Sequence, residues 1–153
     1  MDLEDYLKVL LGEPLPDTDP YPVTRVGLEE FAAAVGHTGP LPPMTFPIVV
    51  CQEAFEEVRR RIGSTGVILH RGQSFRYERP IHAGDTLVAS PVVTDVKQVM
   101  QTVTFTVRMD IRTVDGAPVA VATSMLAIIG SRSVAAAFST AGANATMATP
   151  VTP

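Results

Sequence analysis

The chain is nearly devoid of cysteine. Cys51 is the only one, so no intramolecular disulfide can form, which fits a reducing compartment. Its three histidines, His37, His70 and His82, are too scattered to give metal-ligand spacing. No block of Lys and Arg suggests nucleic acid; Arg59, Arg60 and Arg61 close a helical segment, where cations complement the helix dipole. No apolar run approaches the roughly 20 residues that span a bilayer. The acidic start, Met1 to Asp5, lacks the basic-then-apolar order of a secretory leader. These absences lead to the expectation of a soluble, cytoplasmic protein with no metal, no cofactor, and neither nucleic acid nor membrane as partner. What is present is 153 residues that are 46% apolar, with a net charge of -4 from interspersed groups. That is enough for one domain with one core, without metals or disulfides.

Leu3 to Leu11 can form a short helix, stopped by Gly12, Pro14 and Pro16. Residues 13–23 hold four prolines and read as an extended connector. Thr24 is placed to cap a second helix carrying Leu28, Phe31 and Val35 at helical spacing, with Gly36 ending it. Residues 36–47 are a Gly/Pro loop. The main helix then runs from Pro47 to Gly63, with Ile48, Cys51, Phe55, Val58 and Ile62 as one apolar stripe. Its first half is apolar all round and should be embedded, whereas Glu56, Glu57, Arg59 and Arg60 should reach solvent.

The remainder reads as strands. In residues 101–112, Val103, Phe105, Val107, Met109 and Ile111 alternate with Thr104, Thr106, Arg108 and Asp110, a period-two pattern for a sheet with one buried face. Val114-Asp115-Gly116 forms the turn into a returning strand over 119–129. Residues 68–77 and 86–96 make another strand pair. After Gly130 periodicity vanishes, so residues 1–133 form one domain and 134–153 are expected to be a disordered, dispensable tail. A long helix followed by four long strands implies an α+β fold, a curved antiparallel sheet wrapped around the helix.

Three stretches carry a resemblance. Pro42-Pro43-Met44-Thr45-Phe46-Pro47 resembles the Ala-Pro-Pro-Thr-Phe segment of MaoC-like dehydratases. His70-Arg71-Gly72-Gln73-Ser74-Phe75-Arg76-Tyr77-Glu78-Arg79-Pro80-Ile81 is similar to their His-Gly-Glu-Gln-Ser-Phe-x-Tyr-x-Arg-Pro run, and Ala83-Gly84-Asp85 matches the Ala-Gly-Asp after it. The resemblance covers roughly residues 20–130. It implies a single hot-dog fold and (R)-3-hydroxyacyl-thioester dehydration, and it points to the non-catalytic partner type of subunit.

Active members of that family carry Gly-Asp-x-Asn-Pro-x-His after the first helix. There the Asp and His accept the C2 proton and protonate the departing hydroxyl, while a backbone amide at the main helix polarises the thioester carbonyl. Here the stretch is Gly36-His37-Thr38-Gly39-Pro40-Leu41-Pro42. His37 stands for Asp and Pro42 for His, and a helical insert of about a dozen residues is missing. By this reading no catalytic residue is assigned, and His37 is the one weak candidate, its alternative being an ordinary loop histidine. Thr45, Phe46, Val49, Gln52 and Glu53, at the start of the main helix, are the candidate substrate-binding residues; Glu53 reads first as a capped or solvated carboxylate and second as one aimed at a substrate tunnel. His70 and His82 read as surface or hydrogen-bonded, and Cys51 as a core thiol. Of Gln73, Arg76 and Arg79, alternation puts Gln73 and Arg79 on one face and Arg76 on the other, so only part of the set could meet a pantetheine phosphate.

The expected function is a subunit of a heteromeric (R)-3-hydroxyacyl dehydratase acting on acyl carrier protein or coenzyme A thioesters, in fatty-acid or polyketide synthesis. Its partners would be a catalytic MaoC-like hot-dog chain and the thioester substrate. Two alternatives are a self-sufficient hot-dog dehydratase or thioesterase using His37 or Glu53, and a non-catalytic acyl-thioester binding protein.

Overall fold

A computed structural model describes residues 2–63 and 66–130; the tail inferred for residues 134–153 lies outside them. Three helices precede most of the sheet: α1 (Leu3–Val9), α2 (Arg25–Val35) and α3 (Pro47–Ile62). The strands are β1 (Tyr21–Pro22), β2 (Val67–Tyr77), β3 (Thr86–Val99), β4 (Thr102–Thr113) and β5 (Pro118–Ile129). They form one antiparallel sheet in the order β1-β3-β4-β5-β2.

The alternation read in β4 decides which face is buried. Val103, Phe105, Val107, Met109 and Ile111 all lie in the core, in one cluster with Leu87, Ala89 and Val93 of β3 and Ala120, Ala122, Leu126 and Ile128 of β5. Leu3 and Leu7 bring α1 into the same cluster. A two-residue turn joins β3 to β4 with Met100 at φ 56°, a conformation that Gly or Asn would normally supply. This moves the end of β3 three residues beyond the expected Val96.

The main helix has the expected ends, Pro47 in its first turn and Gly63 as C-cap, but its buried face is rotated. The core line is Val50, Cys51, Ala54, Val58 and Ile62, and the small Ala54 lets the helix sit close to the sheet. Ile48 and Phe55, expected on that line, are half-buried on the flank facing β2, where the Phe55 ring lies 5.6 Å from that of His70. A bulky phenyl is accommodated there because β2 is the end of the sheet.

The two edges of the sheet differ. The proline-rich connector is not a free loop but a strap along β3: Gly12, Leu15 and Thr18 donate to the carbonyls of Val93, Pro91 and Ala89 at 2.9–3.0 Å. The Thr18 hydroxyl accepts from Ala89 N, and β1 continues the cover opposite Thr86 and Leu87. Asp17 bonds Ser90 and Arg112 and so pins the strap's middle. Pro14, Pro16, Pro20 and Pro22 lack an N–H, so the strap cannot propagate the sheet outward. At the other edge β2 does not pair with β3, as their order along the chain suggests, because the long β4–β5 hairpin lies between them. Among the described residues its one neighbour is β5, and none of its 11 residues is buried.

Candidate functional site

The loop between α2 and α3 is where the resemblance puts proton-transfer groups. Thr24 caps α2 through a 3.0 Å bond from Gly27 N, and Gly36 ends it in the left-handed conformation at φ 70°. His37 N then bonds Ala32 O at 2.8 Å, turning the chain back. The His37 Nε2 donates to Leu41 O at 2.8 Å, since a carbonyl can only accept. The ring lies against Gly39, where a Cβ would stand 3.0 Å from Nε2. His37 is therefore the tie that closes the five-residue segment His37–Leu41, its side chain holding backbone.

The loop's far end is anchored as tightly. Phe46 is 1% exposed and meets Phe31 edge-to-face at 5.4 Å and Tyr21 at 6.3 Å. The Tyr77 hydroxyl donates to Met44 O at 2.5 Å, and burial pushes its pKa up to about 12. Of the five candidate substrate-binding residues, Thr45 lies just before α3 and is exposed, Gln52 is exposed on α3, and Val49 is half-buried and packs against the core. Phe46 belongs to the core. Glu53 Oε2 accepts from Asp19 N at 2.8 Å, tying α3 to the strap. The structure thus leaves Thr45 and Gln52 open to solvent, while Phe46 and Val49 serve the core and Glu53 the strap. His37 and Glu53 each bond a different partner and not one another.

A groove of about 730 Å³ runs between the strap and α3, lined by Glu53, Glu56, Glu57 and Arg59–Arg61. Arg59 pairs with Glu56, and both Arg60 and Arg61 pair with Glu57. A lining of mutually neutralised charges suits water better than an acyl chain. Cys51 is fully buried and its thiol is pushed up to about 12 by desolvation, so it is not a nucleophile at neutral pH. Among the described residues no group of three or more His, Cys, Asp or Glu could hold a metal ion, and no helix is long and apolar enough to cross a membrane.

Between α3 and β2 lies a polar cluster that the sequence did not disclose. Ser124, fully buried on β5, donates to Gln73 Oε1 at 2.6 Å, and His70 Nε2 lies 3.1 Å from both Gln73 Oε1 and Gly72 O. Both of those partners are acceptors, so Nε2 carries the proton and Nδ1 is left as the acceptor. Gln73 faces the helix and Arg76, opposite Val121, the outer surface. Arg79 is committed to a bidentate pair with Asp85 at 2.9 and 3.0 Å. That guanidinium, with a bond from His82 N, holds the Asp85 carboxyl below the usual carboxylate range. Arg79 thus locks the β2–β3 connector and is not free for a phosphate.

A curled five-stranded antiparallel sheet closed over one long helix defines a hot-dog-fold protein. The chain belongs to the family described as the FAS1-like dehydratase domain region, whose model matches residues 15–122. It is 31% identical over 140 residues to a UPF0336 protein of Thermobifida fusca, covering 78% of this chain and 91% of the relative. Its fold matches that of a C-terminally truncated HadBC (3R-hydroxyacyl-ACP dehydratase) complex from Mycobacterium tuberculosis, with a TM-score of 0.69, 22% identity, and coverage of 77% of this chain and 96% of that one. A MaoC-like dehydratase matches with a TM-score of 0.62 and 25% identity, over 80% of this chain and 43% of its own length. The expected hot-dog fold and dehydratase family therefore hold.

Proposed function

We propose that this chain is the non-catalytic subunit of a heteromeric (R)-3-hydroxyacyl-thioester dehydratase. The observation that carries this reading is the α2–α3 loop. It holds neither Asp nor a free His, and its one imidazole is spent on Leu41 O. Proton abstraction at C2 and protonation of the leaving hydroxyl both need a side chain within hydrogen-bond reach of the substrate, and this loop offers none. A second hot-dog chain with an intact Gly-Asp-x-Asn-Pro-x-His loop supplies them. Support for that partner comes from the open β2 edge and from the HadBC neighbour, itself a complex. In such an assembly this chain contributes wall and scaffold at the start of α3, with Thr45, Val49 and Gln52 nearest the acyl thioester. The substrate is a 3-hydroxyacyl chain on acyl carrier protein or coenzyme A, in cytoplasmic fatty-acid or polyketide synthesis.

The test is co-expression with such a chain, followed by a dehydration assay on a 3-hydroxyacyl carrier-protein thioester. Turnover is expected only in the mixture. Equal turnover by this chain alone would end the partner reading and return the reaction to His37 or Glu53. Tight thioester binding without turnover in any mixture would favour a binding protein.

A further inference from the structure

The ion pairs of this chain divide its cations in a telling way. Of 12 Lys and Arg residues, only Arg132 lies outside the described segments. Nine of the other eleven have a carboxylate within ion-pairing distance. The two that do not are Arg71 and Arg76, and both sit on β2, the open edge. All 16 Asp and Glu residues fall within the same segments, so no further side-chain carboxylate of this chain pairs with these two arginines. A chain of net charge -4 has left two exposed guanidinium groups unpaired on the one strand with room for a neighbour.

The edge is also shaped around them. The register of β2 shifts between His70 and Gly72, so Arg71 is the extra residue of a bulge. It borders a hollow on the outer face with Asp95, Lys97 and Met125, while Arg76 stands on the same face opposite Val121. Along Val67–Tyr77 there is no Asp or Glu. Two copies joined antiparallel by this strand, in any overlapping register, would bring four guanidiniums onto strands about 5 Å apart with no carboxylate from either. Like charges facing across strands are unfavourable, and opposite ones favourable.

We propose that Arg71 and Arg76 make the β2 edge selective for a different hot-dog subunit whose matching strand carries carboxylates, and against a second copy of this chain. The proposal rests on the partner reading above and adds the chemistry by which the partner is chosen.

The test needs no knowledge of the natural partner. The Arg71→Glu/Arg76→Glu variant presents an acidic edge, so it should pair with the wild-type chain. Sedimentation velocity at about 20 mM salt would compare wild type, variant and an equimolar mixture. Hydrogen exchange over residues 67–77 would locate any contact. The mixture should associate on the order of tenfold or more tightly than wild type alone, as expected for a few charge pairs across one interface. It should protect residues 67–77 and lose most of its advantage near 0.5 M salt, where screening is short-ranged. Wild type that pairs through residues 67–77 as tightly as the mixture, regardless of salt, would overturn charge selection while leaving edge pairing standing. Association without protection of residues 67–77 would overturn edge pairing itself. Coenzyme A binding that the double variant abolishes would make the arginines a phosphate site and also overturn the proposal.

Discussion

The Ser124 hydroxyl, at 0% exposure on the core face of β5, donates to the Gln73 side-chain oxygen across to β2 at 2.6 Å. It is a polar stitch between the last covered strand and the uncovered one. Removing either end has different consequences, because an unpaired buried hydroxyl costs more than a lost bond. Ser124→Ala should destabilise by about 0.5–1.5 kcal/mol, since Gln73 keeps its contact with His70. Gln73→Leu should cost about 1–3 kcal/mol by stranding the hydroxyl, and the double variant less than the sum of the two. Urea unfolding of the three variants checks this; strict additivity would mean the stitch carries no coupling.

The two phenylalanines of the α3 region should behave differently. Phe46, enclosed by Phe31 and Tyr21, should cost about 3–5 kcal/mol on truncation to alanine, as buried aromatics do. Phe55, half-buried against His70, should cost about 1–2 kcal/mol, less than its place on the sequence-read stripe implies. Equal losses would place Phe55 back on the core face.

His37→Ala should lower turnover of a reconstituted two-chain dehydratase by less than about tenfold, because the imidazole bonds the loop and no substrate. General acid–base groups typically contribute about 10²–10⁴-fold. A hundredfold loss with unchanged folding would restore His37 as a catalyst.

The chain should lose stability in acid through two tied carboxylates. Asp85 is held below its ordinary pKa by Arg79, and Asp17 by its bonds from Ser90 and Arg112. A lowered folded-state pKa gives stability that is present above the unfolded value, about 4, and lost as pH falls through the folded one. Melting temperature should therefore be level from about pH 5.5 to 8 on their account and decline below about pH 4. Asp85→Asn should flatten part of that decline, modestly, because the pair is partly exposed. An unchanged acid limb would remove Asp85 from the account.

Most of the fold was legible because it rests on local signals. Alternation named β4, Pro47 and Gly63 bracketed α3, and Gly36 marked the end of α2. What was lost depended on neighbours. Ile48 and Phe55 are as apolar as Val50 and Ala54, so periodicity alone could not choose which line the sheet would cover. Val35 continues the apolar spacing of α2 but has nothing to pack on and is 52% exposed. β1 is two residues long, one of them proline, and exists only because Leu87 and Thr86 lie beside it. For the site, the broken motif was readable as a substitution of residue types, but not that His37 would be tied to Leu41 O. Ser124 and Gln73 stand 51 residues apart with no pattern to link them.

The proline strap has a consequence for stoichiometry. A sheet with two free margins can add neighbours indefinitely, whereas this one behaves like a monofunctional unit in polymer chemistry. Once β2 is occupied, the other margin offers prolines and bonded amides in place of a template. Strand addition through β2 would therefore end at a pair, the far margin being closed by the same dozen residues that the sequence presents as a mere connector.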